Sequence, residues 1–338
     1  MRDWVKHRHY GWVIAIAMLL VQTVSSGLGF YNMSVYMSFF ARELDASLDA
    51  ISLSVSLFFI SGGVAGLFVA RLLERWDIRT IMVIGASVSG VALLLIGRIS
   101  NLYELYALFT LFGIGNTGVS IVVATSLITQ WFPDERRSVA LSISSTGLSL
   151  GGVLITPYTA YLFDKSGIFE AMPLLGVIFV VGIVPIVILF IRPPVTLQAV
   201  KETKRNFEME YLQARKSRFF VCVTTAYVLI MAAQVGGIAH LYNRVDALGG
   251  LGVAAGSIQA LTLASISGRL LGGWLLTRIT IRPFLFFNLL IQLLGLFFIG
   301  FSEMSEVAII SSIFFGFSVG NLLMLQPLWL AEIYPSNI

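Results

Sequence analysis

Residues 171–191 read AMPLLGVIFVVGIVPIVILFI, a run with no charged side chain and no carboxamide. At 1.5 Å per residue a helix over that stretch is about 30 Å long, the thickness of a bilayer's hydrocarbon core. A helix on the surface of a soluble protein would need a polar face, and this one has none. Nor does the run alternate as a barrel strand does, and hydrocarbon leaves the helix as the form that satisfies every backbone N–H and C=O within one segment. Working outward, nine more runs of this kind emerge, approximately residues 10–40, 51–73, 81–99, 103–129, 138–163, 219–241, 253–277, 283–301 and 307–331. The chain therefore reads as an all-α polytopic membrane protein with about ten spans.

The composition agrees. Of 338 residues 57% are apolar and 12% charged, against roughly a quarter charged in a soluble domain. A mean hydropathy of +0.88 leaves no polar surface to face water. The single cysteine, Cys222, excludes a disulfide framework and a cysteine-rich metal site. A net charge of +4 does not call for nucleic acid. Its distribution is a topology signal instead: the N-terminus and the segments after even-numbered spans carry 17 Lys and Arg, the other connections only Arg42, Arg98, Lys165 and Arg244. Positive residues stay inside, so the N-terminus is placed in the cytoplasm of a plasma (inner) membrane.

The longest hydrophilic stretch, 192–218, carries Arg192, Lys201, Lys204, Arg205, Arg215, Lys216 and Arg218 with Phe207, Met209, Tyr211 and Leu212 interleaved. This pattern predicts a cytoplasmic linker with a short helix on the inner leaflet. It divides an N-terminal bundle, 1–191, from a C-terminal one, 219–338. The two halves repeat. The segment from Ala70 through Glu74, Arg75 and Asp77 to Arg79 aligns with Gly273 through Thr277, Arg278 and Thr280 to Arg282, a shift of 203, and Trp131-Phe132-Pro133 aligns with Ile333-Tyr334-Pro335 at 202. On this reading the second half holds four of six spans, and the chain is expected to be a C-terminally truncated or fragmentary form of a twelve-span design.

With these features in place the sequence resembles the major facilitator superfamily. Glu74-Arg75-Trp76-Asp77-Ile78-Arg79 is similar to that superfamily's signature after the second span, with Ala70 and Asp77 standing where the signature has glycine. Tyr10-Gly11-Trp12-Val13, and Trp131-Phe132-Pro133-Asp134-Glu135-Arg136-Arg137 followed by Gly147 and Gly151, resemble the oxalate/formate antiporter and monocarboxylate transporter group. The resemblance implies two six-helix halves, the second incomplete, and alternating-access transport of small organic anions.

One charge lies inside a span. Arg269 precedes Arg278 by nine residues, which sets it about 13 Å from the cytoplasmic end of the eighth span. No Asp or Glu stands in the middle of any span. An arginine at such depth faces a hydrated cavity or a partner, and its planar fork matches a carboxylate with two charge-assisted hydrogen bonds. The resemblance adds that transporters of this group bind the substrate carboxylate with an arginine of the eighth span, the place Arg269 takes. A structural arginine bound to helix carbonyls is the competing account. The acid one turn before that arginine in the proton symporters is Ser265 here, and their lysine in the first span aligns with Ser34. Exchange or facilitated movement is favoured accordingly, with a coupled ion left open.

Among the polar residues within spans, Tyr31, Asn32, Asn116 and Gln234 are the best candidates to touch substrate, since the resemblance makes spans 1, 4 and 7 line the cavity. His240 reads as interfacial. The cytoplasmic charges Glu74, Arg75, Arg79, Arg278 and Arg282 are candidates for a gate clasp between the halves. The clusters Gly62-Gly63/Gly66, Gly113/Gly115, Gly147/Gly151/Gly152 and Gly268/Gly272/Gly273 read as close-packing surfaces, not phosphate cradles, because no strand or Walker lysine accompanies them. No nucleophile elbow, paired buried carboxylates, metal-ligand cluster or cofactor motif is present in the sequence, which argues against an enzyme. A transporter of another substrate class, such as drugs, or a sensor on the same fold are the alternative functions.

Overall fold

The computed structural model describes residues 2–73, 75–132, 137–192, 217–276 and 278–333. Among these described residues are ten helices or helix pairs long and apolar enough to span a bilayer. In chain order they are α1 (Arg2–Ser26) joined by a π-helical turn (Gly27–Tyr31) to α2 (Asn32–Glu43), α3 (Leu48–Leu72), α4 (Ile78–Ile96), α5 (Leu102–Thr117) with α6 (Ile121–Trp131), α7 (Arg137–Ser166), α8 (Ile168–Phe190), α9 (Arg218–Gly249), α10 (Leu251–Leu275), α11 (Ile281–Phe301) and α12 (Ser305–Ile333). The hydrophilic stretch 193–216, Glu74 and Thr277 lie outside the described residues.

Local chemistry sets the ends. Ser47, Asp77, Asn101 and Ser217 each accept a backbone N–H of the helix that follows, which satisfies a donor that hydrocarbon or a headgroup would leave stranded. Gly167 and Gly250 are single-residue links between consecutive spans, with φ of 80° and 82°. A side chain at either would be forced into the left-handed region, so these two sharp reversals depend on glycine.

The same pairs of spans pack in each half. The second span (α3) lies along the fourth (α5) and the third (α4) also packs on α5, while the eighth (α10) and ninth (α11) both pack on the tenth (α12). Small residues make the approach possible: a Cβ on Gly147 would collide with the Leu19 carbonyl, and one on Gly268 would meet the Phe317 backbone. Not every glycine serves this way. A Cβ on Gly63 or Gly273 would meet nothing within 4 Å, because these two project away from the neighbouring helix.

Two departures from the hydropathy reading matter for function. The first span does not run through as one α-helix. Its π turn, closed by the Asn32 N–H donating to the Gly27 carbonyl, inserts an extra residue and re-aims the side chains that follow, as such bulges do at functional sites. The seventh span continues eight residues past Leu241, to Gly249. Hydropathy falls at Asn243, Arg244 and Asp246, yet the helix persists because their polar groups are taken up locally. Arg244 donates to the Ile299 and Ser302 carbonyls and Asp246 pairs with Arg42.

Candidate functional site

The halves meet along two seams, the first span against the seventh and the fifth against the eighth. On the second seam, α7 and α10 carry polar residues four apart, which places each set on one helix face. Ser149 Oγ lies 3.0 Å from Ser265 Oγ, and one turn further Arg269 donates to the Ser145 carbonyl at 2.5 Å. Gln259 adds a longer bond, 3.4 Å to the Val153 carbonyl. Arg269 Nε also donates, at 3.2 Å, to Gly320 O on α12. The guanidinium is thus satisfied by neutral carbonyls from both halves. Among the described residues no carboxylate pairs with it.

Tyr31 completes this cluster. The π turn presents its phenol, fully within the protein, to the Ser149 and Ser265 hydroxyls and within electrostatic reach of Arg269. Its ring lies over Gly152, 3.0 Å from where a Cβ would stand. The adjacent Phe30 ring meets the Tyr31 ring edge-on with centroids 5.1 Å apart and looks the other way, into a groove of about 460 Å³ along spans 1, 2 and 4. Phe58, Phe59 and Gly62 line its apolar wall, and Asn116, Thr117 and Ser120 give it a polar edge. Consecutive residues of one turn therefore serve two places, the charged seam and the groove.

Of the five residues singled out from sequence as substrate contacts, the structure brings Arg269 and Tyr31 together. Asn116 lies in the groove, where its Oδ1 accepts the Ser25 hydroxyl at 2.9 Å. Asn32 is buried and donates to Thr159 at 2.8 Å, binding the first span to the fifth. Gln234 is buried in α9, and among the described residues its carboxamide oxygen has no hydrogen-bond partner. Sequence reasoning missed Ser149 as a seam residue, and noted Ser265 and Ser34 only as departures from a family pattern. The available signal was the four-residue spacing of Ser145 with Ser149 and of Ser265 with Arg269, but neutral serines are too common in spans for that spacing to stand out.

The charges singled out from sequence for a gate clasp lie at the junctions of the second span with the third and of the eighth with the ninth. Glu74 lies outside the described residues. Arg75 and Arg282 are exposed, Arg79 is half-buried with its backbone N–H on Asp77, and Arg278 stacks 4.4 Å from the Trp274 ring centroid. Among the described residues none of them forms an ion pair. The motifs around Tyr10 and Trp131 do converge. Their rings lie 5.6 Å apart, Tyr10 donates to the Phe190 carbonyl, the Trp131 indole donates to the Arg192 carbonyl, and the Arg192 guanidinium covers the Tyr10 ring at 5.0 Å. Spans 1, 4 and 6 are tied at one end by this knot.

Comparison with known proteins fits this architecture. A family model described as Major Facilitator Superfamily matches residues 19–338. An uncharacterised MFS-type transporter, YcxA of Bacillus subtilis, is 26% identical over 268 residues, covering 76% of this chain and 64% of the relative. Human monocarboxylate transporter 14 is 23% identical over 177 residues, half of this chain and 33% of that protein. The crystal structure of a D-xylose-proton symporter superposes with a TM-score of 0.68 at 15% identity, over 95% of this chain and 82% of the other. That likeness is one of fold. The chain thus spans about two thirds of the length of YcxA, at 64%.

Proposed function

We propose that this chain, an integral membrane protein that belongs to the Major Facilitator Superfamily, forms part or all of a carrier for small organic anions, with Arg269 as the carboxylate anchor. One observation carries the reading. Arg269, whose guanidinium stays protonated in proteins, lies six residues, about 9 Å, from the Leu275 end of its helix, and among the described residues its hydrogen-bond partners are the neutral carbonyls of Ser145 and Gly320. Carbonyl oxygens satisfy the guanidinium's directional needs but not its charge, which costs a few kcal/mol in a membrane interior. A carboxylate would offer two acceptors in the same plane and neutralise that charge.

The neighbouring hydroxyls suit the remainder of such a substrate. Tyr31, Ser149 and Ser265 can each donate or accept, and all three cluster beside the guanidinium. The anchor bridges two halves, so anything that competes for it alters how they are joined, which is what alternating access requires. Family membership favours a transporter over an enzyme or a sensor. Placement in the inner membrane with a cytoplasmic N-terminus, and movement driven by the substrate's own gradient or a coupled ion, belong to the same proposal.

The test is uptake by proteoliposomes holding the full chain, challenged with a panel of mono- and dicarboxylates beside a neutral sugar and a lipophilic cation. Uptake of one carboxylate that Arg269→Gln reduces at least tenfold supports the reading. Uptake confined to the cation, or carboxylate uptake that Arg269→Gln leaves untouched, overturns it.

A further inference from the structure

The fourth span is broken near its middle, and the break opens onto the groove beside Phe30. Between α5 and α6, the backbone N–H groups of Gly118, Val119 and Ser120 donate to the carbonyls three positions earlier, those of Gly115, Asn116 and Thr117, and not four earlier as in an α-helix. Irregular backbone at membrane depth is tolerated where protein buries it or where it lines a cavity. On the carbonyl side the break is satisfied, since Gln22 Nε2 donates to Val119 O at 3.2 Å. On the donor side the ordinary cap is not made. Ser120 stands in the N-cap place of α6, a helix of 11 residues, yet its side chain accepts none of the first-turn N–H groups. Its hydroxyl oxygen is buried, with no hydrogen-bond partner among the described residues. Ser120 and Val122, the latter in that first turn, both line the groove.

We infer that this groove is a binding site for an uncharged molecule with an aromatic body and a carbonyl group, separate from the anion anchor. The polar groups left to a ligand here are donors. Asn116 uses its carboxamide oxygen on the Ser25 hydroxyl, which leaves its amide N–H groups to offer. Thr117 is already engaged, donating to the Gly62 and Gly113 carbonyls. The Asn116 amide, the Ser120 O–H and the positive end of α6 all call for an acceptor. A carbonyl oxygen has two lone pairs and so accepts from two of them at once.

The rest of the groove sets the ligand's other properties. Among the described residues that line it none is ionisable, so a charged ligand would lose its hydration there without gaining a counter-charge. Phe30 stands edge-on to Phe59 with ring centroids 5.9 Å apart, and Phe59 edge-on to Phe58 at 5.1 Å. This wall is held by its own packing, and a ligand ring adds one more contact of the same kind. The room comes from glycine: a Cβ on Gly63 would meet nothing within 4 Å. A volume of about 460 Å³ falls within the range of small-molecule sites, roughly 300–1,000 Å³. Every described lining residue lies on spans 1, 2 and 4 of the first half, and Arg269, Tyr31, Ser149 and Ser265 are not among them. The groove and the anchor therefore share no side chain.

The test is equilibrium binding of tritiated benzophenone, an uncharged diaryl ketone, to the full chain in detergent. Two competitors accompany it: diphenylmethane, which has the same two rings and no carbonyl, and benzoate, which is charged. Saturable binding of the ketone is expected, with diphenylmethane roughly three- to tenfold weaker for want of the hydrogen bond, and with benzoate weaker than either. Ser120→Ala narrows the gap between ketone and hydrocarbon. Gly63→Leu fills the groove from a position with open space before it and removes saturable binding of both. The inference is overturned if diphenylmethane binds as tightly as the ketone, if benzoate displaces the ketone better than diphenylmethane does, or if Gly63→Leu binds the ketone as the wild type does. The ratio of ketone to hydrocarbon affinity is read on a single preparation, so a partly unfolded variant lowers the number of sites without changing that ratio. Nothing in the readout depends on transport: lost carboxylate uptake leaves the groove standing, and absent ketone binding leaves the role of Arg269 standing.

Discussion

The Arg269 guanidinium reaches across the molecule to the Ser145 carbonyl, 2.5 Å away, and so binds the eighth span to the fifth with the same atoms that would receive an anion. A lysine in its place keeps the charge but not the fork that serves Ser145 and Gly320 together. Hydrogen bonds to charged groups contribute roughly 1.5–3 kcal/mol each, so Arg269→Lys is expected to loosen the fifth-to-eighth seam and weaken anion binding by ten- to a hundredfold while still binding better than Arg269→Gln. Equilibrium binding of a radiolabelled carboxylate to the three proteins checks the ranking. Equal affinity of Lys and Gln variants would mean that charge has no part in the site.

Ser149 and Ser265 contribute a neutral bond to the same seam, buried on both sides. Such a bond is worth about 0.5–1.5 kcal/mol, and stranding one partner costs more than removing both. Ser149→Ala and Ser265→Ala should each lower thermal stability in detergent, and the double variant should lower it by less than the two combined. The comparison is a double-mutant cycle read by unfolding temperature. Strict additivity would show that the two hydroxyls do not couple.

How much of this was legible beforehand follows from what is local and what is not. Ten spans, Arg269 and the knot-forming motifs announce themselves because hydropathy, a lone buried charge and aromatic motifs are properties of single stretches. Ser145 enters the site through its carbonyl, which every residue has. Asp246 lies where hydropathy drops, and so reads as loop until Arg42, more than two hundred positions away, is seen to satisfy it. Asn32 and Asn116 lie on neighbouring spans and look alike in sequence. Only packing turns one toward Thr159 and the other into the groove.

The knot at Tyr10 and Trp131 allows its components to be separated. Trp131→Phe keeps a ring against Tyr10 but deletes the indole donor to the Arg192 carbonyl, at a cost of about 1 kcal/mol. Trp131→Ala removes the ring as well and is expected to cost about 2 kcal/mol or more, since the residue is half-buried. Chemical denaturation in mixed micelles followed by far-ultraviolet circular dichroism measures the difference. If phenylalanine is as damaging as alanine, the hydrogen bond and not the ring contact holds the spans together.

Two glycines make the sharpest packing test because they look the same in sequence and differ in surroundings. Gly147 faces the first span so closely that a Cβ would run into the Leu19 carbonyl, a backbone atom with no room to yield. Gly63 faces open space. In a helix interior alanine is better than glycine by roughly 0.5–1 kcal/mol where nothing obstructs it, whereas overpacking costs about 1–3 kcal/mol. Gly63→Ala should therefore raise the unfolding temperature of the purified protein slightly and Gly147→Ala should lower it by several degrees, both read by circular dichroism on heating. The opposite order would mean that the first and fifth spans do not meet at Leu19 and Gly147, and would remove the packing that holds Tyr31 against the seam.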